Sequence, residues 1–88
     1  MLERDIEKYL VTKVKALGGQ ALKFTSPGNA GVPDRIVLLP EGRVIFVELK
    51  QPGKKPTALQ RVVMAKLRGL GFRATWTDSK EGVDEILA

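Results

Sequence analysis

The sequence predicts an α/β fold: one domain in which helices flank a mixed sheet, with elements in the order α-β-β-β-α-β-α. Three observations point there. Apolar residues recur at helical spacing in two well-separated segments. Short alternating or β-branched apolar runs lie outside them, and Gly, Pro and capping residues mark the borders. At 88 residues and 9.7 kDa the chain forms a single domain, 1–88.

Residues 4–17 read as an amphipathic helix, with Ile6, Leu10, Val14 and Leu17 on one stripe. Gly18-Gly19 ends it by supplying a left-handed cap. Residues 20–24 alternate polar and apolar as a half-buried strand does. Residues 25–31, rich in Ser, Pro, Gly and Asn, form a loop. Residues 34–39 and 44–49 are strands joined through the turn 40–43, an antiparallel hairpin. The second is almost wholly apolar, which places it centrally in the sheet. Residues 51–56 are a loop. Thr57-Ala58-Leu59-Gln60 is a capping box opening a helix to about residue 70, with Leu59, Val63, Leu67 and Leu70 on its apolar face. Residues 72–77 alternate again, with Phe72, Ala74 and Trp76 on one side as core residues. A second capping box, Asp78 to Glu81, opens a short last helix ending at Ile86-Leu87.

Composition narrows the chemistry. The chain has no Cys and no His, so a Cys/His zinc site, a Cys or His nucleophile system and imidazole acid–base chemistry are excluded. Any metal is held by oxygen. No apolar run approaches the length of a membrane span, and no secretory pattern opens the chain, so a cytoplasmic protein is expected. The net charge is +5, and seven of the basic residues fall between Lys50 and Arg73, where no acid occurs. Such a stretch suits a phosphate backbone, or forms a solvated helix face.

Polar residues set into apolar strands are the decisive feature. Asp34 follows Pro33 at the start of one hairpin strand, and Glu48 and Lys50 end the next. Residues two apart on a strand share a face, so Glu48 and Lys50 lie together. Neighbouring strands let Asp34 and Glu48 converge. Two carboxylates beside a lysine suit Mg²⁺ and phosphodiester hydrolysis, with the lysine orienting water or stabilising charge on phosphate. The plainer alternative is a salt bridge from Glu48 to Lys50 or to Arg35.

The full string, Gly31-Val32-Pro33-Asp34-Arg35-Ile36-Val37, then Val47-Glu48-Leu49-Lys50, then Gln60 opening the next helix, resembles the VRR-NUC family of the PD-(D/E)xK nuclease superfamily. The likeness is to its small stand-alone form in bacteriophages and bacteria, and it spans Glu3 to about Thr77. It implies an αβββαβ restriction-endonuclease-like core and a Mg²⁺- or Mn²⁺-dependent endodeoxyribonuclease. It implies that Asp34, Glu48 and the Leu49 carbonyl bind metal and that Lys50 is the catalytic lysine. Gln60 would lie near the metal and attacking water; it is also the capping-box partner of Thr57. A first-helix acid joins the metal site in this family, and Glu3 or Glu7 would fill that place. Gly31 and Pro33 would shape the loop at the metal. Lys54, Lys55, Lys23 and Arg61 are candidate DNA contacts, and Ser26 and Asn29 are first of all turn formers.

Such a unit is expected to act on branched DNA, in the manner of Holliday-junction resolvases, as a homodimer. Its small size and lack of disulfides call for extra burial. Val62 and Met64, off the stripe of their helix, and the exposed side of the last strand are the apolar positions left for contact. Two other classes are a catalytically silent DNA-binding module and a basic subunit of a larger DNA-processing assembly.

Overall fold

The computed structural model describes all 88 residues. Helix α1 (Glu3–Ala16) leads into β1 (Gln20–Lys23), β2 (Arg35–Leu39), β3 (Arg43–Leu49), α2 (Ala58–Gly69), β4 (Arg73–Thr77) and α3 (Lys80–Leu87). The four strands form one sheet in the order β1-β2-β3-β4. The first three run antiparallel, and β4 lies parallel to β3 after the α2 crossover. The sheet is therefore mixed, as the sequence predicts. No helix is long and apolar enough to cross a membrane.

Alternation along the strands sorts residues onto two faces. Val37, Leu39, Ile45, Val47 and Leu49 meet Ile6, Leu10 and Val14 of α1 and Val83, Ile86 and Leu87 of α3 in one buried cluster. Each such side chain stabilises the fold by about 1.5–3 kcal/mol, so the helical stripe on α1 is what fixes this helix to the sheet. The α1 terminus is a Schellman turn: Gly18 takes φ +84°, and the amides of Gly18 and Gly19 donate to the carbonyls of Lys15 and Val14.

The other face carries Leu22, Ile36, Leu38, Phe46 and Glu48, and α2 covers only its β4 side. Two expectations fail here. The apolar stripe of α2 is not the buried one: Leu59 and Leu70 are exposed, while Met64, expected at a dimer contact, is buried. Gln60 and Met64 are four apart, so the helix presents that side to the sheet, turned from the stripe. Phe72 is likewise half-exposed, its ring set edge-on against Phe46.

Smaller differences are local. The β2–β3 turn needs a left-handed φ at Glu41 as well as at Gly42. The last helix is capped by Ser79, whose Oγ accepts from the Gly82 amide, and not by Asp78. Asp78 instead accepts from the Gly53 amide at 3.0 Å, tying the 51–56 loop to the end of β4.

Candidate active site

The carboxylates meet where β2 begins and β3 ends. Arg35 pairs with Val47, so Asp34, one residue before β2, falls beside Glu48 and Leu49. The Leu49 amide donates to Asp34 Oδ2 at 2.9 Å, and the Asp34 amide donates to Glu48 Oε1 at 3.2 Å. Each acid thus accepts from a backbone amide beside the other. The Lys50 amide continues the β3–β4 ladder to the Thr77 carbonyl, and Lys50 Nζ lies 3.3 Å from Glu48 Oε2.

Gln60 completes the group. Its Oε1 accepts from the Thr57 amide at 2.9 Å, while its Nε2 donates to Glu48 Oε2 at 2.9 Å. One side chain thus caps the helix and bonds Glu48 at once. Because the cap takes the amide oxygen, the NH₂ group is the end left for Glu48.

Glu48 is 3% exposed. Burial, then the neighbouring Asp34 charge, push its carboxyl up to about 7 against the pull of Lys50. Two carboxylates face one lysine, so the ionised group keeps one uncompensated negative charge. Its donors are oxygen only. Excess negative charge and hard donors at a buried point fit a divalent cation such as Mg²⁺ or Mn²⁺, which takes carboxylates and carbonyls readily.

The first-helix acids do not join this group, and no cluster of three acidic side chains forms. Arg35 alternates with Asp34 and so faces α1, where its Nε donates to Glu7 Oε2 at 2.8 Å and its Nη1 to the Ala21 carbonyl. The expected alternative partner for Glu48, Arg35, is thereby taken by Glu7. Glu3 is exposed in the first turn of α1. No local pattern announces the Glu7–Arg35 pair, whose members lie 28 residues apart. Lys54, Lys55, Lys23 and Arg61 are all solvent-exposed, the first two on the loop that Asp78 anchors.

Paired acids and a lysine at the ends of two central strands, with a glutamine from the first turn of α2, on this αβββαβ frame define a protein of the PD-(D/E)xK class. No family model matches the chain. It is 52% identical over 79 residues to "Putative nuclease p44" of Acyrthosiphon pisum secondary endosymbiont phage 1, covering 90% of this chain and 85% of that protein. A solved "VRR_NUC domain" structure superposes with a TM-score of 0.90 at 32% identity, over 97% of this chain and 92% of that one. A second, a "VRR_NUC domain protein", gives 0.72 at 18% identity over 99% and 85%, a likeness of fold. The chain belongs to the VRR-NUC family.

Proposed function

We propose that the chain is a Mg²⁺- or Mn²⁺-dependent endodeoxyribonuclease that cuts branched DNA, four-way junctions above all, as a homodimer in the cytoplasm of a bacterium or phage-infected host. The observation that carries this is the mutual clamp of Asp34 and Glu48 with Lys50 at 3.3 Å. The family and the name of the phage relative support the nuclease part of this reading.

Asp34, Glu48 and the Leu49 carbonyl would hold the ion. When bound, it lowers the pKa of water and polarises a phosphoryl oxygen. Gln60 holds Glu48 in place, so the acid keeps its orientation as phosphate arrives. Lys50 is the one cation at the acids, and its ammonium stabilises charge building on the phosphate in the transition state. The exposed Lys54 and Lys55, directly after the catalytic strand, hold the DNA backbone, joined by Lys23 and Arg61.

The test is cleavage of plasmid, linear duplex and four-way junction DNA with Mg²⁺ or Mn²⁺, against EDTA. Metal-dependent cuts placed symmetrically about the junction are expected. A second reading, a DNA-binding module without catalysis, draws on the Arg35–Glu7 pair, which leaves the site with two acids. Junction binding with no cleavage in any metal would establish that reading instead.

A further inference from the structure

A concavity opens close along the chain to the carboxylates. Its volume is about 420 Å³, and it lies between the 26–32 loop and the flank of α2. Leu59, Val62 and Val63 make its apolar wall with Val32, Lys66 stands at one side, and Ser26 and Asn29 edge the other. The side-chain amide of Asn29 donates to Ser26 Oγ at 3.0 Å, and its Oδ1 takes no part in that bond. Ser26 is left with a hydroxyl proton to give and Asn29 with an oxygen to accept.

The concavity is joined to the catalytic group by the chain itself. Val32 is two residues before Asp34, a Cα separation below about 8 Å. Leu59 adjoins Gln60, which bonds Glu48. Gly31 holds the loop this close: it takes φ +86°, and a Cβ there would stand 2.8 Å from Leu59 Cγ. The wall contains no acid; its α2 side, Leu59, Val62, Val63 and Lys66, comes from the acid-free stretch between Lys50 and Arg73, and Lys66 is the one charged residue that lines it. Leu59 and Val62 stay about half exposed, apolar area that the fold leaves open.

We propose that this groove takes a nucleobase turned out of the DNA strand next to the scissile phosphate, an inference that rests on the nuclease reading above. The aliphatic wall of Leu59, Val62 and Val63 packs on the flat face of the base. Ser26 and Asn29 meet its polar edge, and Lys66 meets a flanking phosphate. Turning out a base costs a few kcal/mol in duplex and much less where the base is already unpaired. The groove therefore selects DNA with an unstacked nucleotide beside the cut, which the centre of a junction or the root of a flap provides.

The test needs neither catalysis nor long DNA. The protein is titrated with dAMP and, separately, with deoxyribose 5-phosphate, while the methyl resonances of Leu59, Val62 and Val63 are followed by NMR. With dAMP these methyls and the Asn29 side-chain amide shift together, and deoxyribose 5-phosphate leaves the methyls in place. In Val62→Trp, an exposed substitution that fills the groove, the dAMP dissociation constant read from the Leu59 and Val63 methyls rises about tenfold, a loss of about 1.4 kcal/mol in binding. Identical shift maps for the two probes, absence of methyl shifts, or undiminished binding in Val62→Trp would each overturn the proposal. So would methyl shifts that follow protein concentration and not dAMP, which would show a second copy in the groove. Junction cleavage with Mg²⁺, run in parallel, separates the two levels. A chain that binds dAMP here and cuts nothing loses the nuclease reading alone, and one that cuts while ignoring dAMP loses the groove alone.

Discussion

Glu48 carries an electrostatic conflict. It is nearly inaccessible, faces Asp34, and its carboxyl is raised to about 7 by burial and then by that neighbour. In the unfolded chain the same group ionises near the ordinary carboxylate value. The native state therefore keeps a proton that the unfolded state has lost, and stability falls as pH rises through that window. We expect the melting temperature in EDTA to drop between about pH 5 and about pH 8 on account of this group, and Mg²⁺ to restore it at the upper end. Calorimetry with and without Mg²⁺ checks this, and a flat profile in EDTA would remove the conflict. The same balance gives the mutants opposite effects on stability and activity. Glu48→Gln should melt higher than wild type in EDTA at neutral pH and cleave nothing, while still binding DNA. Asp34→Asn should also be inactive. Lys50→Ala should be inactive yet keep its metal affinity in calorimetric titration, since the lysine stabilises charge and does not ligate.

Helix α2 depends on a cap whose Gln60 also bonds Glu48 in the candidate active site. Thr57 Oγ1 accepts from the Gln60 amide at 3.2 Å, and Gln60 returns its Oε1 to the Thr57 amide. Thr57→Ala should cost about 1 kcal/mol of stability by urea unfolding. It should also lower cleavage, because a frayed first turn lets Gln60 leave Glu48. Loss of stability with unchanged kcat would show that Gln60 holds the acid without the cap. The cap was legible in Thr57-x-x-Gln60 because its partners are local. The bond from Gln60 to Glu48 was not, since it spans two elements and depends on how α2 is rotated over β4. The Leu59-Val63-Leu67-Leu70 spacing marks an apolar stripe but not which surface covers it, and the buried position proved to be Met64. The strands fared better. Period-two alternation placed Asp34, Glu48 and Lys50 together correctly, because their convergence follows from adjacent pairing alone. Arg35 and Glu7, joined only through the packing of α1 on the sheet, left no such trace.

For the molecule as a whole, charge and apolar surface lead to separate expectations about DNA and about a second subunit. Lys54 and Lys55 sit on an exposed loop held by the Gly53–Asp78 bond, so reversing them alters the field without loosening the fold. Lys54→Glu with Lys55→Glu should weaken junction binding and reduce the slope of log affinity against log salt by up to about 2 through lost counterion release. An unchanged slope would place the DNA elsewhere. For the proposed homodimer, we expect the contact on the sheet face that α2 leaves uncovered. Met64 is buried and unavailable, whereas Leu22 and Leu38 on β1 and β2, with Leu70 and Phe72 at the turn before β4, are exposed together with few charges among them. A standard interface takes about 800 Å² from each partner, roughly one seventh of the 5480 Å² this chain exposes. A two-fold contact through this face repeats the active site, which paired cuts across a junction require. Leu22→Glu and Leu38→Glu alter side chains already open to water, so the monomer should keep its fold by circular dichroism. Sedimentation at micromolar concentration should show a dimer for wild type and a 9.7 kDa species for the variant. The variant should nick one strand of a junction where wild type cuts two. A wild-type monomer that still makes paired cuts would remove the dimer from the mechanism.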